Sequence, residues 1–222
     1  HRGPVLVAVG LEVERQAQEQ GREEVRRAQR LLMFLKDWTY TLSDPGLRLF
    51  TLANPLLPEP PPTIEVFELG CCDTDFLERA ALCHPRLYAD GLDWRARRTP
   101  HPGCHRGDIL THRFGPYDDR VYDAIISLST IEHVGLGRYE DDPKDIYGDI
   151  KAVQRLKDRL RQGGFLYFDV PYTPEGYCLL DTNKCRCYDD DSLKDRFGPH
   201  DVLGYTNGNV DGWVEKPAKN HE

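Results

Sequence analysis

Two hydrophobic rhythms alternate along this chain. Strand-like runs at Ile64–Leu69, Arg86–Leu92, Tyr122–Leu128 and Phe165–Val170 have the length of buried strands. Between them, Asp75–Leu82 and Asp145–Arg161 read as helices. In the second, Ile146, Ile150, Val153, Leu156 and Leu160 make one apolar stripe, which Gly163-Gly164 brings to a stop. Strands that are apolar on both faces and separated by helices predict an α/β fold with a mainly parallel, doubly covered sheet.

Ahead of these elements the pattern changes. Across residues 12–41, Val25, Ala28, Leu32 and Leu35 recur at helical spacing, with Glu23, Glu24, Arg27 and Arg30 facing outward. The first half of this helix is polar nearly all round, which makes it a candidate contact for a partner or for oligomerisation. Ser43 or Asp44 would cap a second short helix with Pro45 at its first position. "GPVLVAVG" near the start reads as a strand or an ordered arm. The prolines of "LPEPPPT" (Leu57–Thr63) continue neither helix nor ladder. They divide a helical segment, 1–57, from a compact domain, 63–222. Near the far end "YDDDSLKDRFG" predicts a short capped helix. Asn207-Gly208 predicts a turn between two strands, with Trp213 packing the sheet edge.

A formal charge of -8 over 222 residues argues against a nucleic-acid-binding face. Arg95, Arg97 and Arg98 are the one tight basic group, and they read as a solvated loop. No apolar run approaches the roughly 20 residues that span a bilayer. Seven cysteines, an odd number in a chain of this size, suit reduced thiols in a cytoplasmic protein. The chain opens on His1 rather than Met, as a fragment or processed chain would, leaving any upstream targeting signal out of view.

Candidate chemistry gathers at the strand ends, where open α/β sheets bind ligands. The first run closes on Glu68-Leu69-Gly70, then "CCDTD" opens a helix. Gly70 permits a tight turn, while Cys72 and Thr74 stand where a dinucleotide fingerprint has glycines. Asp73 and Asp75 would repel a phosphate, so a neutral or cationic cofactor fits better. Asp93, with Asp90 in reserve, can accept both hydroxyls of a ribose, and Asp108 can take an adenine amino group. The fourth strand ends in small polar residues, including Ser129, followed by Glu132-His133.

This order resembles the class I S-adenosylmethionine-dependent methyltransferases from about Thr63 to Tyr172. More narrowly, "SLSTIEHVGLGRYEDD", "GDIKAV", "GGFLYFDVP" and "NKCRCY" resemble an uncharacterised methyltransferase-like family of bacteria and nematodes. Asn183, Arg186 and Tyr188 match that family's last segment, whereas Cys185 stands in place of its histidine. The resemblance implies a three-layer Rossmann-like sandwich of seven strands with an antiparallel C-terminal edge hairpin. It implies S-adenosylmethionine as cofactor, held by Glu68, Gly70, Cys72, Asp93, Asp108 and Ser129. His133 would act as base, with Arg138 and Tyr139 positioning a small-molecule acceptor through a hydroxyl oxygen. The alternatives are an inactive scaffold that binds a protein partner and, third, a nicotinamide-dependent oxidoreductase.

Two metal readings compete with a metal-free site. Asp141, Asp142 and Asp145 suit Mg²⁺ or a solvated helix start. Cys83, His84, His101, Cys104, His105 and His112 include zinc-ligand types at no familiar spacing. Cys185 and Cys187 read as small buried residues on one side of a strand.

Overall fold

The computed structural model of the chain describes residues 5–12, 63–83, 87–95, 101–112, 120–139, 144–180, 184–206, 213–214 and 216. The helices expected within 12–41 and after Ser43, the proline boundary, and the Asn207-Gly208 turn lie outside them.

Ten strands and three helices are described: β1 (Val5–Glu12), β2 (Ile64–Leu69), α1 (Phe76–Cys83), β3 (Leu87–Asp93), β4 (Cys104–Arg106), β5 (Tyr122–Ser127), α2 (Gly148–Lys157), β6 (Leu160–Tyr172), β7 (Cys178–Leu180), β8 (Cys185–Cys187), α3 (Asp190–Phe197), β9 (Asp201–Thr206) and β10 (Trp213–Val214). A short 3-10 turn, Ile131–His133, follows β5. The main sheet runs β10-β9-β1-β6-β5-β2-β3-β4, and β7 pairs with β8 apart from it.

From β4 to β6 neighbouring strands are parallel. β1 lies antiparallel to β6 with Val5 opposite Tyr172, and β9 lies antiparallel to β1 in turn. The expected antiparallel edge hairpin is β9 with β10. The sheet has eight strands rather than seven because β1 inserts between β6 and β9. Thus the apolar stretch near the start is a sheet strand, with Val7 and Val9 wholly buried.

Alternation along the strands builds one core on each face. Phe67, Leu69, Ile125 and Phe168 pack with Val153 and Leu156 of α2 and Leu193 and Phe197 of α3. Val66, Ala124, Ile126 and Tyr167 pack on the other face with Phe76, Leu77 and Ala80 of α1. This is the three-layer sandwich that continuous apolar strands require.

The Gly163-Gly164 helix stop is corrected. α2 ends at Lys157 and both glycines lie inside β6. Gly163 has φ +76, and the β5–β6 register slips between Tyr122 and Ala124. The pair therefore bends a strand start. Beside the slip, Tyr122 packs in the same core cluster as Ile125, which strict alternation along β5 would not give. Ile146, expected in the helical stripe, precedes α2 and is 59% exposed.

A polar network sits between α2, β8 and α3. Asp149, in the first turn of α2, is fully buried and accepts the Tyr188 hydroxyl at 2.9 Å. Arg196 grips it bidentately, with both bonds 2.7 Å. The wholly buried Arg186 approaches it at 3.5 Å through Nε. The Gly-Asp and Arg-x-Tyr motifs therefore belong to one cluster, tying α2, β8 and α3 together. α3 itself starts with a capping box between Asp189 and Ser192, which fixes its position relative to β8.

Removing one charge from such a cluster strands the others without solvent. Asp149→Asn is expected to cost about 3–5 kcal/mol. Urea unfolding would show a lower midpoint at unchanged slope. A loss below about 1 kcal/mol, the range of solvent-exposed pairs, would show that the network is hydrated.

Candidate functional site

The carboxyl ends of β2, β3, β4 and β5 open into one cleft. It is lined by Gly70 after β2, by Asp93, Trp94 and Arg95 at the end of β3, by Asp108 after β4, and by Ser129, Thr130, His133 and Tyr139 after β5. Of the residues expected to hold a cofactor, Gly70, Asp93, Asp108 and Ser129 thus meet on the cleft wall. Glu68 and Cys72 are buried and do not line it. Asp90, the reserve, is also buried, and Arg120 at 2.7 Å and Tyr122 at 3.4 Å hold it away from the cleft.

Gly70 has φ +93, and its N–H donates to the Leu92 carbonyl at 2.8 Å. A Cβ there would lie 2.0 Å from Thr130 Oγ1, so the first turn packs directly onto the end of β5. The residues after Gly70 are held by Asp93. Its carboxylate accepts the Cys72 N–H at 3.0 Å and the Arg95 N–H at 2.8 Å. The Arg95 guanidinium caps it at 3.2 and 3.3 Å and reaches Asp73 at 2.6 Å. A carboxylate therefore does by hydrogen bonding what extra glycines would do by flexibility. Asp108 likewise braces its own turn, accepting the Leu110 N–H at 2.9 Å.

Beyond β5 the chain is strained. Ser129 adopts φ +43, unusual for a residue with a side chain. It is held there by Asp169, whose carboxylate takes its N–H at 2.5 Å. Asp169 is buried on β6, and burial first, then its charge, pushes the buried Glu132 carboxyl well above the usual range.

His133 is mostly shielded, and its Nδ1 lies 2.9 Å from the Lys184 carbonyl. A carbonyl only accepts, so Nδ1 carries the proton and Nε2 the lone pair. Arg138 NH1 donates to that lone pair at 3.1 Å. Burial is the main cause that pulls the His133 pKa down to about 4, with the Arg138 charge adding to it. Arg138 itself is exposed and touches the cleft through His133, whereas Tyr139 lines the cleft beneath the Arg95 guanidinium, 5.1 Å from its ring centre.

Behind these residues Arg186 pins the backbone. Its guanidinium donates to the carbonyls of Glu132 (3.2 Å), Val134 (2.8 Å), Asp145 (3.3 Å) and Ile146 (3.1 Å). Gly135, at φ +77, allows the Asp145 carbonyl to approach where a Cβ would be 2.2 Å away.

The two metal readings fare differently. Asp141, Asp142 and His84 lie outside the described residues. Asp145 accepts the Tyr147 N–H at 3.0 Å and Lys151 at 2.6 Å, as a residue leading into a helix does. His101 accepts the Gly103 N–H at 3.1 Å, Cys104 meets Cys71, and His105 stacks on His112. Among the described residues these do not converge on one point. The convergent set is instead Glu132, His133 and Cys185.

Reading the sequence missed Arg95 as the partner of Asp93, and missed Asp169. The signal for Asp169 was an acid inside the apolar run "GGFLYFDVP". Such a residue is rarely buried without a fixed partner.

The likeness to nematode sequences is borne out by a sequence family described as Caenorhabditis protein of unknown function, DUF268, which matches residues 108–204, just under half of the chain. Comparison with curated proteins finds no match. Among solved structures, the chain is similar to the sugar N-methyltransferase KedS8 from Streptoalloteichus sp ATCC 53650, at 17% identity and TM-score 0.39, covering 77% of this chain and 61% of that one. It is similar to an O-methyltransferase from a trans-AT PKS multienzyme of Brevibacillus brevis in complex with S-adenosyl-L-homocysteine, at 14% identity and TM-score 0.41, covering 82% and 59%. A third is the plantazolicin methyltransferase BpumL in complex with SAH, at 19% identity and TM-score 0.36, covering 68% and 60%. The chain spans about three fifths of the length of each of these three proteins.

The depressed basicity of His133 has a measurable sign. Its folded pKa, about 4, lies below the ordinary 6.5. The unfolded chain then binds the proton more tightly, so this residue subtracts stability as pH falls from 6.5 towards 4. Imidazole NMR should show its midpoint near 4, and a midpoint above 6 would show a solvated ring.

Proposed function

We propose that the cleft binds S-adenosylmethionine and that the protein transfers its methyl group to a small-molecule acceptor, through a hydroxyl oxygen. The observation that carries this reading is the meeting of four consecutive parallel strand ends on one cleft, with acceptor-only carboxylates on its wall. Asp93 and Asp108 suit ribose hydroxyls and an adenine amino group, and the acids around the first turn suit a cationic ligand. A pyrophosphate would meet Asp73, Asp93 and Asp108 instead of a run of free amides.

When bound, this cofactor supplies an electrophilic methyl group on sulfur. Gly70 and the Asp93-braced turn would hold its amino-acid end and ribose, with Asp93 exchanging the Arg95 guanidinium for the ribose diol. Asp108 and Ser129 would border the adenine. Cys72 contributes its backbone rather than its thiol, so its replacement of a glycine leaves the wall clear. His133, neutral at physiological pH, offers Nε2 to an acceptor hydroxyl proton once Arg138 turns away. Arg138 and Tyr139 would then orient the acceptor, because in-line attack depends on alignment as much as on proton removal.

Calorimetry on the folded chain tests the cofactor directly. S-adenosylmethionine and S-adenosylhomocysteine should both bind, and Cys72→Gly should bind them equally well. No heat at millimolar ligand would sink the enzyme reading and leave the scaffold. Once labelled methyl transfer to a panel of hydroxylated compounds identifies an acceptor, His133→Gln should lower kcat by about 100-fold or more with cofactor affinity unchanged. Wild-type activity should hold nearly level from about pH 8 down to pH 5, with no break near the ordinary histidine value.

A further inference from the structure

Three chemically unlike side chains meet at the edge of the cleft. One ligand atom each from Glu132, His133 and Cys185 lies within 4.8 Å of the other two. Glu132 Oε1 and His133 Nε2 are 3.6 Å apart. Ligands bound at zinc's usual lengths in a tetrahedron stand roughly 3.3–3.8 Å from one another. The cluster therefore matches that spacing on one edge and needs small side-chain shifts on the others.

Each member is held by something other than its neighbours. The Lys184 carbonyl fixes the tautomer of His133 and leaves Nε2 as the lone pair. A backbone acceptor on the far nitrogen is the usual support of a metal-binding imidazole. Lys184 adopts φ +48, and its ammonium donates to the Gly137 carbonyl. The same constrained turn thus presents its carbonyl to His133 and the next residue, Cys185, to the cluster. Arg186 pins the Glu132–Val134 backbone from behind. Glu132 is 2% exposed, and its Oε2 has no hydrogen-bond partner among the described residues. The Arg138 charge acts on this carboxyl but makes no hydrogen bond to Oε2, so the buried oxygen stands open beside a nitrogen lone pair and a sulfur, where a bound cation would satisfy it.

We propose that Glu132, His133 and Cys185 form a binding site for a thiophilic divalent cation of the zinc class. Carboxylate, imidazole and thiolate are the three ligand types that zinc takes, and a set containing sulfur disfavours Mg²⁺ and Ca²⁺. Three protein ligands leave a fourth position for water or a substrate atom. The cation takes the Nε2 lone pair that Arg138 now occupies. If the methyltransferase reading holds, acceptor activation passes from the ring to the cation, but the metal site stands without it.

The test uses the full chain, reduced, chelator-treated and free of S-adenosylmethionine, titrated with Co²⁺. Near-stoichiometric binding is expected, with intense visible bands of tetrahedral cobalt and a thiolate charge-transfer band in the near ultraviolet, both displaced by Zn²⁺. Cys185→Ser should abolish the charge-transfer band, and Glu132→Gln should weaken binding about 10-fold or more. Cys178→Ser and Cys187→Ser should keep the band. Arg138→Ala, which removes the competing cation, should bind more tightly. Zn²⁺ should raise the melting temperature of the parent chain and not that of Cys185→Ser, which separates lost binding from lost folding. No cobalt signal from well-folded protein, or a band that survives Cys185→Ser, would overturn the site. Cofactor calorimetry, run separately without metal, keeps failure of this site apart from failure of the methyltransferase reading.

Discussion

The buried Arg186 guanidinium is the fixed point of the cleft's far wall. A fully buried cation demands counter-charge and acceptors, and here four backbone carbonyls and Asp149 surround it. Those carbonyls come from two separate stretches, the turn after β5 and the approach to α2. One planar, five-donor group therefore sets the distance between them, which the single-point ammonium of lysine would not. Gly135 and the Asp149–Tyr188–Arg196 cluster follow from that demand, the first by making room and the second by supplying charge. His133 stands where it does because its backbone is clamped from behind.

The near wall is built on the opposite logic. Its carboxylates are engaged but replaceable: Asp93 is capped by an arginine that is itself a third exposed. Asp93 itself is buried, so a ligand that takes the place of the partly exposed guanidinium must give the carboxylate new hydrogen bonds. A rigid far wall and an exchangeable near wall suit a site that must align one reactant while admitting another.

Much of this was legible in the sequence because continuous apolar strands and acid-ending strand tips leave strong local signatures. Ile64–Leu69 needed no context, and the placement of Asp93 rather than Asp90 at a strand tip followed from residue order. What stayed hidden depends on partners distant in the chain. Asp169 meets Ser129 across 40 residues and Arg186 meets Glu132 across 54, and no periodicity encodes either meeting. Gly163-Gly164 misled because glycines end helices and bend strands alike; only the slipped register of β5 and β6 tells the two apart. Cys185 looked like filler for the same reason, since its neighbours in space lie on another loop.

The placement of β1 between β6 and β9 has a consequence for folding. Among the described residues, β9 reaches the sheet only through β1, and β10 only through β9. β1 is synthesised well before β6, whose Tyr172 pairs with its Val5, and must therefore wait for that strand before β9 and β10 have an edge to join. Closing so long a loop late in assembly is slow, and until then the β6 edge is open to other chains. Deleting Val5–Glu12 would thus remove an interior strand and separate β9 and β10 from the rest of the sheet.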